Sequence, residues 1–190
     1  MRVWGSVMER RCFNERQIHL LDQAIDISED IVADHFKIST SQWRHYRYDI
    51  QSLKDLSPEE ITDMAYAQIL RYGQHPQERF RGSLRGEYFK ICLQDHVILR
   101  TLEGQSNLPF VPFLIYIVTH ELIHIVRFAR FLQSFIATPT ERELEEARVH
   151  ELTKELLKKR KISGMEDVLR FFSLHLPIDT FHPTQERKGV

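Results

Sequence analysis

Apolar residues recur at intervals of three and four along much of the chain, which is the spacing of amphipathic helices. The first such stretch runs from 14 to 36, where acidic residues occupy much of the opposite face. A second helix is expected to begin at the capping sequence Ser57-Pro-Glu-Glu60 and to end at about Tyr72, just before Gly73. The pattern therefore predicts two helices in the N-terminal part of the chain.

Short strands are predicted in three places, and in the first of them bulky and polar residues alternate. The first is 43–50. The second and third, 88–93 and 96–102, are separated only by Gln94-Asp95, so we expect them to form a hairpin. The polar stretch 74–86, which contains glycine and proline, is predicted to be a loop. The sequence thus predicts one small antiparallel sheet.

Three further helices are predicted in the C-terminal half. A long, mostly apolar stretch covers 110–128, and a long charged helix, 141–161, follows a break with a capping threonine. The last helix is expected over 163–174, and the tail from 175 to 190 contains two prolines and is expected to be irregular.

These elements predict an α+β fold that is mostly helical, with the small antiparallel sheet packed against the helix of the apolar run. At 190 residues the chain has the size of one domain. We therefore treat 1–190 as a single domain. Its N-terminal helical part covers 1–86, and a second part, 88–157, holds the hairpin and the two helices that carry the candidate chemistry.

Composition narrows the function classes. The formal net charge is −1, so the basic surface that nucleic-acid binding requires is missing. The two cysteines, Cys12 and Cys92, form no disulfide framework, and the N-terminus has no apolar stretch of signal-peptide length. The longest apolar run, 108–118, is too short to span a bilayer. We expect a cytoplasmic protein that binds neither nucleic acid nor membranes. The sequence does not determine its oligomeric state.

The apolar run contains the string His120-Glu-Leu-Ile-His124, an H-E-x-x-H motif. On a helix these two histidines lie on one face, so both imidazoles can reach one point. That is the spacing that Zn²⁺ needs from two ligands on one rigid element. Glu121 would project beside the ion, where a carboxylate can take a proton from a zinc-bound water. The motif predicts His120 and His124 as ligands and Glu121 as general base.

A catalytic zinc site also needs a third protein ligand, and the charged helix after the motif offers three candidates. Glu146 and His150 lie on a polar stripe that adjoins the apolar stripe of this helix. Glu145 instead falls inside the apolar stripe, where a carboxylate needs an explanation. Each is an ordinary zinc ligand type, so the residues alone leave all three open.

An H-E-x-x-H helix that is followed by a helix carrying a glutamate resembles the zincin metallopeptidases, in particular the gluzincin branch. In that family the first helix supplies two histidine ligands and the base, and the later helix supplies a glutamate ligand. A polar residue four positions further on, usually aspartate, supports the first histidine. Glu146-Ala-Arg-Val-His150 matches this pattern with histidine in place of aspartate. The resemblance covers 88–157 and implies Glu146 as third ligand, with His150 and Glu145 as alternatives.

The resemblance predicts a zinc-dependent peptidase that acts on peptide or protein substrates. Glu121 would pass its proton to the leaving amine, and the oxyanion would be stabilised by the metal and one further donor. His175, His182 and several tyrosines are candidates for that donor. The predicted hairpin over 88–102 resembles the edge strand with which zincins pair an extended substrate.

Two other functions compete with this one. The first is a non-catalytic zincin-like module, in which the same zinc site is structural or sensory; activity that depends on Glu121 would separate it from a peptidase. The second is a di-iron helical protein, because Glu121-Leu-Ile-His124 is also an E-x-x-H motif. A di-iron bundle needs two such motifs, and the chain contains one.

Overall fold

The computed structural model describes residues 10–43, 45–72, 88–130, 132 and 137–175. This part of the chain is α+β and mostly helical, as predicted. Its helices are α1 Glu15–Phe36, α2 Thr40–Trp43, α3 Asp95–Gly104, α4 Phe110–Ala129, α5 Pro139–Lys158 and α6 Met165–Leu174, and its strands are β1 Tyr48–Gln51, β2 Ala67–Tyr72 and β3 Tyr88–Leu93. The predicted loop 74–86 lies outside the described residues, as does the tail from 176 onward.

Four of the predicted helices are confirmed, and in two of them local capping chemistry explains where the helix begins. The Asn14 side chain accepts a hydrogen bond from the Gln17 backbone N–H at the start of α1. Thr138 does the same for Glu141 at the start of α5, with Pro139 in the first turn. These caps satisfy backbone donors that have no partner inside the helix. Only residues within one turn are needed, so the sequence predicts these ends well.

The strands form one mixed sheet in the order β1-β3-β2. β2 pairs antiparallel with β3, but β1 pairs parallel with it. The prediction of a purely antiparallel sheet is therefore wrong for one of the two pairs. Ile69 on β2 and Ile91 on β3 are register partners and face the main core, where α4 packs. Cys92 belongs to a smaller apolar cluster with Leu53, Leu56 and Leu70.

The predicted helix from Ser57 to Tyr72 is wrong. The capping box between Ser57 and Glu60 is present, but it frames a single 3-10 turn, and the chain then extends into β2. The Glu60 side chain also binds a residue distant in sequence: Lys90 on β3 donates hydrogen bonds to both of its carboxylate oxygens, at 2.9 and 2.7 Å. Met64, which a helix would have buried, is exposed. Pairing with β3 therefore outweighs the local helix signal.

The predicted strand over 96–102 and its hairpin are also wrong, because these residues belong to α3. A short apolar run has no periodicity that separates a strand from a buried helix, so tertiary contacts decide. Both edges of β3 are already paired with β1 and β2. The Asp95 carboxylate sits in the first turn of α3, where it complements the positive end of the helix dipole.

Asp95 leads to a prediction for stability. Its carboxylate is fully buried and accepts hydrogen bonds from the backbone N–H groups of Phe13, at 2.8 Å, and Leu53, at 3.1 Å. Asp95→Ala leaves both donors buried without an acceptor, so we expect a loss of about 2–6 kcal/mol in the free energy of unfolding, at about 1–3 kcal/mol per donor. Urea denaturation followed by circular dichroism measures this loss.

Glu103→Gln is the matched control for Asp95→Ala. It also removes a carboxylate of α3 that contacts the N-terminal segment, here Arg11, but both of these side chains are exposed. Exposed pairs contribute less than about 1 kcal/mol. Equal effects of the two substitutions would contradict the role assigned to Asp95.

The centre of the molecule is α4, in which every residue from 112 to 126 is buried. α1 lies along it, and the Ser28 hydroxyl reaches the Ile115 carbonyl at 3.3 Å. β3 covers another side, where the rings of Phe89 and Phe128 stack with centroids 5.7 Å apart. By length and composition α4 could cross a membrane, but 83% of its most apolar window is buried inside the protein. Its apolar surface is therefore covered by the rest of the described chain.

Candidate metal centre

The three residues of the H-E-x-x-H motif lie in the second half of α4 and are all buried. The helix is continuous through Pro112 because this proline lies in the first turn, where no intrahelical N–H bond is needed. His120 and His124 therefore stand one turn apart on the same face, with ring centroids 4.9 Å apart. The sequence prediction for the local geometry of the motif is confirmed.

α5 brings Glu146 to this pair of histidines. The Glu146 Oε2 atom lies 3.2 Å from His120 Nε2, and its Oε1 atom lies 3.1 Å from His124 Nε2. The two Nε2 atoms are themselves 3.2 Å apart. Three side chains that can bind a metal thus converge, with one ligand atom of each lying within 4.8 Å of the others.

The neighbouring histidines hold the pKa of Glu146 below its usual range, and with Glu146 ionised, protons alone cannot make all three of these contacts favourable. Each Nε2 atom carries either a proton or a lone pair. If both are protonated, two N–H groups face each other at 3.2 Å. If one is not, its lone pair faces the carboxylate of Glu146 at 3.1 or 3.2 Å. One repulsive contact remains in either case, whereas a cation between the three groups would attract all of them.

The separations also suit a metal the size of zinc. Ligands of a tetrahedral site with bonds of about 2.0–2.1 Å lie about 3.3–3.4 Å apart. The three observed distances are 3.1 to 3.2 Å. Two imidazole nitrogens and one carboxylate form a donor set that zinc commonly accepts in enzymes. These residues therefore fit the ion that the motif predicts.

Glu121 follows His120 in the motif and interacts electrostatically with His124 and Glu146. It is 1% exposed, and its Oε1 atom has no hydrogen-bond partner among the described residues. Burial raises the pKa of this carboxyl group to about 8, with a smaller contribution from the charge of Glu146, while His124 opposes the shift. A buried carboxyl oxygen without a partner is costly, so a structural role does not account for it.

The electrostatics of Glu146 differ from those of Glu121. Burial disfavours the ionised form of Glu146, but the neighbouring His124 and His120 outweigh this and hold its pKa well below the usual range. Burial lowers the pKa of His120, against the attraction of Glu146. At neutral pH the site therefore holds one ionised carboxylate, Glu146, next to a histidine that favours its neutral form, as metal binding requires.

His150, the first alternative ligand, does not meet the histidine pair. Its Nδ1 atom lies 2.8 Å from the Tyr116 hydroxyl and its Nε2 atom lies 3.1 Å from the Phe172 carbonyl. The ring is 5.9 Å from the ring of His120, centroid to centroid. The expected hydrogen bond from His150 to a histidine of the motif is not formed, because His120 Nδ1 finds no partner in the described chain. His150 supports the site by packing.

Glu145, the second alternative, points to another partner. It forms a two-point ion pair with Arg127 of α4, in which Arg127 Nη2 lies 3.1 Å from Oε2 and Nε bonds to Oε1. Arg148 adds a contact at 2.6 Å. This pairing explains why a carboxylate occupies the apolar side of α5. Arg127 and Tyr116 were not singled out in the sequence, although each lies one turn from a motif histidine.

The described part of the chain does not confirm the residues and the strand that were predicted to contact the substrate. His175 stacks on Phe171 and bonds to its carbonyl, so no contact places it at the site. His182 lies outside the described residues. The expected edge strand is β3, but β3 is the central strand of the sheet. The ligand side chains are little exposed, at 4% for His120, 1% for His124 and 17% for Glu146.

Comparisons with known proteins add no family to this picture. No protein-family model, curated protein or solved structure matches the chain.

Proposed function

We propose that this protein is a zinc-dependent peptidase of the zincin type, in which His120, His124 and Glu146 hold the ion and Glu121 is the general base. The observation that carries the proposal is the buried Glu121 carboxyl, whose Oε1 atom lacks a partner among the described residues and which interacts electrostatically with His124 and Glu146, two of the three converging ligands. A site that only holds zinc has no use for such a group, whereas a hydrolase needs one.

Zinc in this position would supply a water molecule of lowered pKa and would polarise the substrate carbonyl. The chain's own residues would do the rest. The pKa of about 8 belongs to the metal-free site, and the positive charge of the ion would favour the ionised form of Glu121. The Glu121 carboxylate would then take the proton of the attacking water on Oε1 and deliver it to the leaving amine. An extended substrate would pair with β1 or β2, because β3 has both edges occupied.

A non-catalytic zinc-binding role is the second candidate, and the burial of the ligands favours it. Catalytic zinc keeps an open position for water and substrate. The three ligand side chains are at most 17% exposed. Under this alternative the protein binds zinc as tightly as the peptidase would, but it hydrolyses no peptide.

Metal analysis of the purified protein tests what both candidates share. We expect about one zinc ion per chain by mass spectrometry, as three convergent ligands imply, and almost none in His124→Ala. His19→Ala is the matched control, since His19 is exposed on α1 and should leave the zinc content unchanged. A parent protein without metal, even after zinc is added, would remove both candidates.

A further inference from the structure

The interface between α4 and α5 contains a second polar connection besides the candidate metal site. Arg127 lies three residues after His124, and Glu145 directly precedes Glu146. Their ion pair is two-pronged and largely buried, with side-chain exposures of 12% for Arg127 and 8% for Glu145. The same two helices are thus joined at adjacent positions by this pair and by the contacts of Glu146 with the histidines.

Apolar packing alone specifies the position of α5 weakly. Half of its buried residues are polar or charged, as the full set shows: Glu145, Val149, His150, Thr153, Leu156 and Leu157. A shift of α5 by four residues, about one helical turn of 5.4 Å, would replace Glu146 with His150 at the histidine pair. The same shift would place Val149 opposite Arg127 and leave a buried cation unpaired.

We propose that the Arg127–Glu145 ion pair sets the register of α5 along α4 and thereby brings Glu146, instead of His150, to the histidine pair. Arg127 and Glu145 are positioning residues in this view, since they act on the site through Glu146. The zinc-affinity measurement rests on the proposed function, because it requires that the protein binds zinc. The position of α5 on α4 can be measured without zinc. Specifying a register is the best-attested use of buried polar and ionic groups.

The energetics of buried ion pairs allow the effect of a substitution on the register of α5 to be separated from its effect on stability. Removing one partner leaves an uncompensated charge and destabilises the fold, but replacing both with apolar residues of similar volume is often neutral or stabilising. The test variant is therefore the double substitution Arg127→Met with Glu145→Met. Arg148→Gln is the matched control, because Arg148 contacts Glu145 within the same helix and does not bridge the helices.

Two measurements on each protein decide the proposal. Zinc affinity is obtained by competition with a chromophoric chelator. The imidazole resonances of the metal-free, ¹⁵N-labelled protein report on His150, which contacts Tyr116 and Phe172 only in the native register. For the double variant we expect a thermal unfolding midpoint close to that of the parent and a changed or doubled His150 signal. Zinc affinity should be about 10–100-fold lower, because no single register then holds a third ligand at the histidine pair.

Arg148→Gln should match the parent in zinc affinity and His150 signal, and Arg127→Lys, which keeps the charge, should lie between the parent and the double variant. A folded double variant with parental zinc affinity and a parental His150 signal would overturn the proposal. Should the double variant fail to fold, Glu145→Gln decides by the same two readouts. If the parent binds no zinc, the proposed function fails, and the His150 signal alone decides the register.

Discussion

Replacing Glu121 with glutamine should reduce peptide hydrolysis by about 10²–10⁴-fold, the range expected for loss of a general base. Glutamine has the shape of glutamate but cannot accept the proton, and none of the three converging ligands is altered. The zinc content should therefore stay at the parental level. Hydrolysis of a mixed peptide pool, followed by mass spectrometry beside the metal analysis, measures both quantities.

The same variant should change how stability depends on pH in the zinc-stripped protein. The pKa of Glu121 is raised from 4.5 to about 8, so its stabilising contribution is full below pH 4.5 and is lost as the pH rises to 8. Glu121→Gln does not titrate and should lack this fall in the free energy of unfolding. Urea denaturation at pH values between these limits, in the presence of a chelator, would reveal the difference.

Two outcomes would revise the role of Glu121. If Glu121→Gln hydrolysed peptides as fast as the parent, Glu121 would not be the base. If the parent bound zinc but cleaved nothing in the pool, the non-catalytic role would replace the peptidase, in agreement with the low exposure of the ligands.

Replacing Glu146 with alanine should lower zinc affinity more than any other change on α5. Loss of one of three ligands is expected to cost more than about 100-fold, whereas loss of a residue that only supports ligands typically costs about 10–100-fold. His150→Ala belongs to the second class, because His150 touches Tyr116 and Phe172 and packs beside His120. Chelator competition on both variants gives the ranking.

Glu143→Ala is the control for this ranking, since Glu143 is exposed on the same helix. It should leave zinc affinity unchanged. The reverse ranking, with His150→Ala more damaging than Glu146→Ala, would make His150 the third ligand. If neither substitution matters, the site is incomplete and the peptidase proposal should be abandoned.

The sequence by itself determined the parts of this protein that depend on neighbours within a few turns. Helical periodicity predicts α4 and the position of its two histidines on one face. Capping residues within the first turn predict where α1 and α5 begin. The α+β class follows from the sum of such local signals. The prediction of a metal site arises at the same level, because an H-E-x-x-H string needs only a helix to place two imidazoles together.

Segments with two locally acceptable conformations were decided by the tertiary structure. The capping box at Ser57 and Glu60 is real, but Lys90 on β3 holds Glu60 and the chain turns into a strand. Residues 95–104 form a helix, and the predicted hairpin with β3 is excluded because β3 already has a neighbour on each edge. In both cases the stabilisation from contacts between residues distant in sequence exceeds the local conformational preference. That preference is only tenths of a kcal/mol to about 1 kcal/mol per residue.

The third metal-binding residue of the candidate site was also predicted only in part by the sequence and was decided by tertiary packing. The sequence narrowed it to Glu145, Glu146 and His150, which lie within two turns of one helix. Adjacent residues on a helix differ by about 100° in direction, so a small rotation or slide of α5 changes which of them faces α4. Only the packing of α5 on α4, with Arg127 against Glu145, brings Glu146 to the histidines. That packing joins residues on different helices, 18 positions apart in the sequence for Arg127 and Glu145, and no local pattern encodes it.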